Sequence, residues 1–424
     1  MRNRKKVFEQ ASRRKKQRVG SFIIRVLVIA ALVIFGFPEL NIAQSLAAEM
    51  AVGPVVGKFV SEAQVLAKDG NFSEARKKIN ETKKIPGKSA YESFVIYDYE
   101  TYLNVKLKDY VAAARAAEAA FATGMAAKGV RSQRLSTLAK LNFSIKNYAK
   151  TVDFAQKYRL EGGADEEVLR LEMQAYYLQK KYAAAQKSAE EIVLTSGSRR
   201  DKPDETVLQI WSSAAYHQKD NSGQFDALTA LVSNYPKPVY WKDLVNLVAT
   251  DVGRSDRMSL EVLRLKLAMG LLETSDDYIE MAQLAIQLGL PGEALDVVSS
   301  GQKAGLMDGR NKSRELRLKT MAEDQARRDQ ASLDSRGATA AANAALGEAY
   351  ASYGKTEKAI RLYNVALGSP NADADMTRLH LGQAYFSKGD LVNARKAFLS
   401  IKTAKLNWLT QLWVLVTNNS KERT

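Results

Sequence analysis

The 424-residue chain contains no cysteine and only two histidines, His217 and His380. That shortage excludes disulfides, thiol nucleophiles and Cys/His zinc sites together. Neither histidine has another four residues away, so a helical zinc pair is excluded as well. A serine hydrolase needs a histidine to take the hydroxyl proton, and the Gly-x-Ser-x-Gly turn is absent. His217 stands at a predicted helix end and His380 within a predicted helix, which makes both surface or packing residues. Gly-x-x-x-x-Gly-Lys-Ser/Thr, the common phosphate cradle, does not occur, and Gly162-Gly163 reads as a helix-terminating turn. The pairs Asp276-Asp277 and Glu190-Glu191 fall at a predicted helix start and on an exposed helix face, where charge is solvated. Alternating apolar and polar runs of strand length are also missing. The expectation is a nearly all-helical protein with no cofactor, no metal and no catalytic residues.

Acidic residues are scarce at the N-terminus, and the formal net charge of the chain is +16. Residues 1–25 hold Arg2, Arg4, Lys5, Lys6, Arg13, Arg14, Lys15, Lys16, Arg18 and Arg25 against Glu9 alone. Residues 26–37 are apolar, Pro38 breaks the run, and Ser45-Leu46-Ala47 follows as a small-x-small cleavage pattern. Basic, apolar and small-residue parts in that order form a secretory signal. The twelve residues of 26–37 fall short of the roughly 20 that span a bilayer. Adding residues 22–24, with Arg25 snorkelling, keeps an uncleaved anchor as the alternative. Lys/Arg clusters release counterions from phosphates, but the adjoining apolar segment points to export, and no nucleic-acid partner is expected. The positive-inside bias then places the body in the periplasm, with inner-membrane contact through the N-terminus if it is retained.

Beyond that segment the chain repeats itself. Leu346-Gly347-x-x-Tyr350-x-x-x-Gly354, with Ala359 and Tyr363, recurs 35 residues later as Leu381-Gly382-x-x-Tyr385-x-x-x-Gly389, with Ala394 and Phe398. A period of that length signs for stacked helix–turn–helix units. Earlier units open their second helix at Phe72, Tyr110, Tyr148 and Tyr182, each with a small residue three positions on: Ala75, Ala113, Thr151 and Ala185. A fifth unit is expected around 211–235 and a sixth at 278–301, where Gly289 ends one helix and Pro291 starts the next. Helices of less regular spacing are expected at 240–250 and 258–272, a charged helix at 312–328, and a joint near 335–337. Leu406, Leu409, Trp413 and Val416 fall on one helical face that would cap the last unit. Trp408, Leu412 and Leu415 lie elsewhere on that helix, either packed back on the array or left as an apolar patch.

These residues resemble the tetratricopeptide repeat family. The units at 346–370 and 381–401 carry Gly347, Tyr350, Ala359, Tyr363, Ala366 and Pro370 at family positions. The four units between 62 and 192 match in the second helix but mostly lack the Leu-Gly pair. The resemblance implies an α-solenoid of seven or eight stacked hairpins that binds extended peptides along a groove lined by each first helix. Carried onto this chain, the groove positions are Asp98, Tyr102, Lys140, Arg170, Gln174, Tyr177, Glu348, Gln383 and Phe386. The family's clamp for a C-terminal carboxylate is not reproduced, since Val60, Asp98 and Ser136 stand where its first contacts belong. A narrower resemblance, carried by Asn234-Tyr235-Pro236-Lys237, Tyr240-Trp241, Asp277-Tyr278 and Met281-Ala282-Gln283-Leu284, is to exported repeat proteins found with TonB–ExbB–ExbD systems.

The expected organisation is a signal or anchor at 1–47, an N-terminal array at 48–236, irregular repeats at 237–334, and a C-terminal pair with its cap at 335–424. The expected function is an exported, non-catalytic protein-interaction scaffold of the bacterial envelope, accessory to TonB-type energy transduction. Its alternative, suggested by charge and location, is a cell-wall (peptidoglycan) binder or hydrolase accessory. The basic cluster Arg310, Lys312, Arg314, Arg317, Lys319, Arg327 and Arg328 is interspersed with Glu315, Glu323, Asp324 and Asp329, as on an exposed salt-bridged helix, with a patch for acidic lipid, cell-wall polymer or an acidic protein segment as the alternative.

Overall fold

The computed structural model describes residues 51–253, 255–307, 312–330, 333, 339–369 and 373–419. The expected signal or anchor at 1–47, Arg310, the joint at 335–337 and Pro370 lie outside the described residues. Among the described residues there are twenty α-helices and no strand. No helix among them is long and apolar enough to cross a membrane.

The helices fall into two compact units that divide between Arg199 and Arg200. The N-terminal unit holds four hairpins. These are α1 (Pro54–Lys68) with α2 (Phe72–Thr82), and α3 (Ala90–Lys106) with α4 (Tyr110–Ala122). After them come α5 (Lys128–Ser144) with α6 (Tyr148–Leu160), and α7 (Glu166–Leu178) with α8 (Tyr182–Ser198). The second unit begins with the hairpin α9 (Glu205–Gln218) and α10 (Asn221–Asn234). It continues through α11 (Pro238–Asp251) and α12 (Asp256–Ala268), then α13 (Ser275–Gln287) with α14 (Pro291–Lys303). After the charged α15 (Lys312–Gln330) come α16 (Ala340–Ser352) with α17 (Thr356–Leu367), and α18 (Ala374–Ser387) with α19 (Leu391–Leu399). The last helix is α20 (Asn407–Asn419). The expected boundary at 236 is the α10–α11 turn, inside the second unit.

One turn serves eight hairpins. Its first helix ends in a left-handed residue, glycine at Gly70, Gly289, Gly354 and Gly389 but lysine at Lys108, Lys146, Lys180 and Lys219. The next backbone N–H reaches back to the carbonyl five residues earlier, as in Asp109 to Asn104 (2.8 Å) and Asp390 to Tyr385 (2.9 Å). That closure satisfies carbonyls the helix end would otherwise orphan. The same residue starts the second helix: Asp109, Asn147, Asp220 and Asp390 each accept an N–H from the first turn.

Size complementarity sets how closely the two helices approach. A Cβ on Gly347 would lie 2.7 Å from the Tyr363 ring, and one on Gly382 2.4 Å from the Phe398 ring. Each glycine is therefore the seat of the aromatic sixteen residues later. The N-terminal hairpins fill those two positions differently, with Ala63 and Ile79, Thr101 and Ala117, Ala139 and Ala155, and Met173 and Ala189, all buried. In each of these hairpins the second-helix position carries a side chain smaller than the Tyr or Phe of the C-terminal pair, so packing does not require a glycine opposite it.

At the C-terminal end Leu406, Leu409, Trp413 and Val416 are buried, and so is Leu412. Trp408 stacks on Phe225 of α10 with ring centroids 4.7 Å apart and planes at 7°. Helix α20 thus caps α19 and also meets the opening helices of the same unit, which accounts for its second apolar face.

Candidate functional site

In the N-terminal unit the first helices of successive hairpins are joined by ion pairs. Arg134 of α5 donates to Asp98 of α3 at 2.9 Å, and Lys140 of α5 meets Glu167 of α7 at 2.5 Å and Asp165 at 3.4 Å. Burial pushes the Asp98 carboxyl up, against the pull of Arg134. For Lys140 the balance is reversed: burial opposes the ammonium, yet Glu167 and Asp165 hold its pKa above the ordinary lysine value. Tyr102, one turn after Asp98, stacks with Tyr99 at 5.6 Å and meets Phe72 edge-on at 6.4 Å. On α7, Arg170 lies 3.7 Å from Glu166, Gln174 is half-buried, and Tyr177 meets Tyr182 edge-on at 5.6 Å. Asp98 and Tyr102 thus lie four residues apart on α3, Arg170, Gln174 and Tyr177 follow one another at spacings of four and three on α7, and the ion pairs tie both helices to α5, which carries Lys140. Of the clamp positions, Val60 is buried in the core and Asp98 is committed to Arg134.

The remaining groove positions sit in a different setting, in the second unit. Helix α12 lies against α16 and α18, and its polar side chains engage theirs. Glu261, fully buried, accepts from Gln383 at 2.7 Å, lies 3.0 Å from His380 Nε2 and is bridged by Arg264 at 2.7 Å. Arg264 also holds Glu293 of α14 through two bonds of 2.8 and 2.6 Å and reaches Glu348 at 3.4 Å. Arg257 pairs with Glu348 as well. Glu348 and Gln383 are thus engaged by α12, while Phe386 meets Trp413 edge-on at 5.5 Å.

Burial raises the cost of every charge here, yet the charges persist because each is answered. Against its desolvation Glu261 is held far below the usual carboxylate range by Arg264 and His380. Glu348 is lowered despite burial by His380, Arg264 and Arg257, and Arg264 is raised despite burial by Glu261 and Glu293. Burial drives the neighbouring Tyr363 hydroxyl upward. Donor atoms of Glu261, Glu348 and His380 lie within 4.8 Å of one another, a spacing that would suit a cation. The Arg264 guanidinium already answers both carboxylates, and a dication would sit beside it and Arg257. Those donors do not fit a metal.

Sequence reasoning missed Glu261, Arg264 and Glu293. The available signal was a charged pair three residues apart amid the apolar Met258, Leu260, Val262, Leu263 and Leu265, all of which are buried. The segments behind the narrower resemblance have packing roles. Tyr235 donates to the Pro203 carbonyl at 2.8 Å, Lys237 pairs with Glu205 at 2.6 Å, and buried Tyr240 joins Gln209 and Glu205. His217 is exposed at the end of α9. Along α15, Arg314 donates to Gln283 at 3.1 Å and Arg327 pairs with Asp324, while Leu318, Ala322 and Ala326 are buried beneath.

No protein-family model matches the chain. No curated protein matches it either. Among solved structures, a tetratricopeptide repeat protein from Parabacteroides merdae is similar at 10% identity, over 78% of this chain and 99% of that one, with a TM-score of 0.33. The apo form of RapI is similar at 10% identity over 87% of each chain, TM-score 0.33. The TPR2AB domain of yeast Sti1, in a complex with pHSP90, shows 14% identity over 64% of this chain and all of that one, TM-score 0.27. At such scores the assignment of an all-helical hairpin repeat rests on the turns, caps and glycine–aromatic seats of this chain.

Proposed function

We propose that the protein is a non-catalytic scaffold that holds an extended segment of a protein partner along α3, α5 and α7. The observation that supports this reading is the row of ion pairs from Asp98–Arg134 to Lys140–Glu167, which ties three first helices together. Tyr102 and Tyr177 flank that row, and aromatics give contact area with few torsions to freeze. An extended segment suits it because hairpins stacked side by side repeat the same positions at regular intervals.

Export to the periplasm, by a cleaved signal or an inner-membrane anchor at residues 1–47, is part of the proposal, as is a partner drawn from the envelope. Service to TonB-type energy transduction is the specific role proposed. It predicts that the purified protein captures one envelope protein and that Tyr102→Ala or Tyr177→Ala abolishes capture. Circular dichroism on each variant separates lost binding from lost fold. Undiminished capture by both folded variants would remove the surface from consideration, and N-terminal sequencing of the cellular protein reads out export.

A further inference from the structure

Three consecutive turns of the N-terminal unit carry a lysine where the backbone disfavours one. Lys108 (φ 59°), Lys146 (φ 61°) and Lys180 (φ 60°) join the helices of the second, third and fourth hairpins, each in the left-handed region. Glycine enters that region without penalty, whereas a lysine is strained there by its Cβ. Gly70, Gly289, Gly354 and Gly389 serve the same turn elsewhere in the chain. The helix dipoles do not account for the choice. A cation gains at the C-terminus of the first helix but stands two residues before the start of the second, where it loses. Contacts do not account for it either. All three side chains are exposed, and none makes an ion pair or side-chain hydrogen bond among the described residues. Other charges nearby are engaged: Lys106 lies over the Tyr102 ring at 5.5 Å, Lys150 pairs with Glu118 at 2.5 Å, and Asp109, the acid beside Lys108, is taken by Arg76 at 3.3 Å.

Stacking turns this local choice into a shape. First helices of successive hairpins meet, α5 with α7 directly and α3 with α5 through the Asp98–Arg134 pair. Packed helices lie about 8–10 Å apart, so the three lysines stand in a row roughly 20 Å long on one edge of the unit. Exposed Tyr110, Val111 and Leu178 lie within three residues of them along the chain. Cations interleaved with an exposed tyrosine and aliphatic side chains suit a bilayer interface. Lysine answers lipid phosphates, tyrosine sits at the headgroup level, and the aliphatics reach the acyl boundary.

We infer that this edge docks on an anionic phospholipid surface, with Lys108, Lys146 and Lys180 against the phosphates and Tyr110, Val111 and Leu178 among the headgroups. Hairpin tips form an edge without walls, which a flat surface meets at all three turns at once. An acidic polypeptide would answer the charges and leave the apolar side chains in water. The edge lies at the ends of the helices, and the partner segment proposed above runs along the sides of α3, α5 and α7. Neither proposal depends on the other.

The chain has no cysteine, so one introduced cysteine carries a unique probe. An environment-sensitive dye on Ala149→Cys, at the exposed start of α6, reports on the edge, and the same dye on Leu160→Cys reports on the far end of that helix. The full chain is titrated with vesicles of phosphatidylcholine, with and without phosphatidylglycerol. The dye at 149 should shift to the blue with anionic vesicles and not with neutral ones, and the dye at 160 with neither. Each lysine near an anionic surface contributes about fivefold in affinity. Lys108→Gly, Lys146→Gly and Lys180→Gly together should therefore raise the anionic lipid needed for half the response by roughly a hundredfold. Glycine suits all three turns, so the thermal midpoint of that variant should not fall. The corresponding triple arginine variant should respond like the parent. No shift at 149 with anionic vesicles, equal shifts at 149 and 160, equal shifts with and without phosphatidylglycerol, or an unchanged response of the triple glycine variant would each overturn the inference. So would a shift produced by soluble polyglutamate and not by vesicles, which would assign the edge to an acidic polypeptide.

Discussion

Replacing Gly382 by alanine isolates the contact on which hairpin packing depends. The added Cβ would stand 2.4, 2.6 and 2.8 Å from three atoms of the Phe398 ring. Carbon atoms settle near 3.5–4.0 Å, so the ring would have to retreat by about 1 Å. It has no room to do so, because Phe398 is 1% exposed and stacks on Trp413 at 5.4 Å with planes at 19°. Overpacking of that kind costs about 1–3 kcal/mol, with the upper part of the range expected here. Alanine returns about 1 kcal/mol through its better helix propensity. The net effect is a destabilisation of about 1–2 kcal/mol, or a fall of roughly 2–8 °C in the midpoint of a unit of this size. Differential scanning calorimetry reads that midpoint. The double variant Gly382→Ala with Phe398→Leu should lose less than the sum of the single changes by at least about 0.5 kcal/mol, since the clash and its remedy share one space. A G382A protein as stable as the parent, or additive single and double variants, would refute the glycine-seat argument.

The lysines at the turns give the opposite sign: Lys108→Gly, Lys146→Gly or Lys219→Gly should each raise stability by up to about 1 kcal/mol in chemical denaturation, because glycine carries no left-handed penalty. Glu261→Gln should destabilise the second unit by up to about 3 kcal/mol, since it removes the buried charge that Arg264 and His380 both answer and leaves Arg264 with Glu293 and Glu348 alone. The Glu261 and Glu348 carboxyls are held low in the folded state, so their stabilisation is present above their unfolded value of about 4.3 and is lost as pH falls below it. Melts from neutral to acid pH should show that loss in the parent and a shallower slope in E261Q. Asp98 and Glu172, pushed up by burial in the N-terminal unit, act with the opposite sign, which should leave that unit the more acid-tolerant. Trp408→Ala removes the stacked partner of Phe225 and should cost about 3 kcal/mol or more by thermal melting, loosening α10 from α20.

What could be read from the residues was local. Gly–aromatic spacing, Asp and Asn caps and the Gly/Lys turn position act over one hairpin, and the helices at 346–399 follow them closely. Helix α12 was not legible in the same way. Its partners Glu348, His380 and Gln383 lie 84 to 122 residues away along the chain, and no periodic signal links segments so distant. The repeat resemblance assigns Glu348 and Gln383 to the groove face of their helices, but a face does not announce what covers it. For Asp98 and Lys140 the same resemblance missed that their charges tie one repeat to the next. Trp408 and Leu412 were ambiguous because a helix apolar on two faces is equally an exposed patch or a double contact until its second neighbour is known.

Site-directed photo-crosslinking in the producing cell tests the scaffold most directly. A photoreactive residue placed at Tyr102, Gln174 or Tyr177 on the first-helix surface is compared with one at Leu160 or Leu194, which are 87% and 73% exposed on second helices. The account predicts one discrete protein adduct from the first set and none from the second. Adducts only at Leu160 and Leu194, or none at Tyr102, Gln174 and Tyr177, would contradict it.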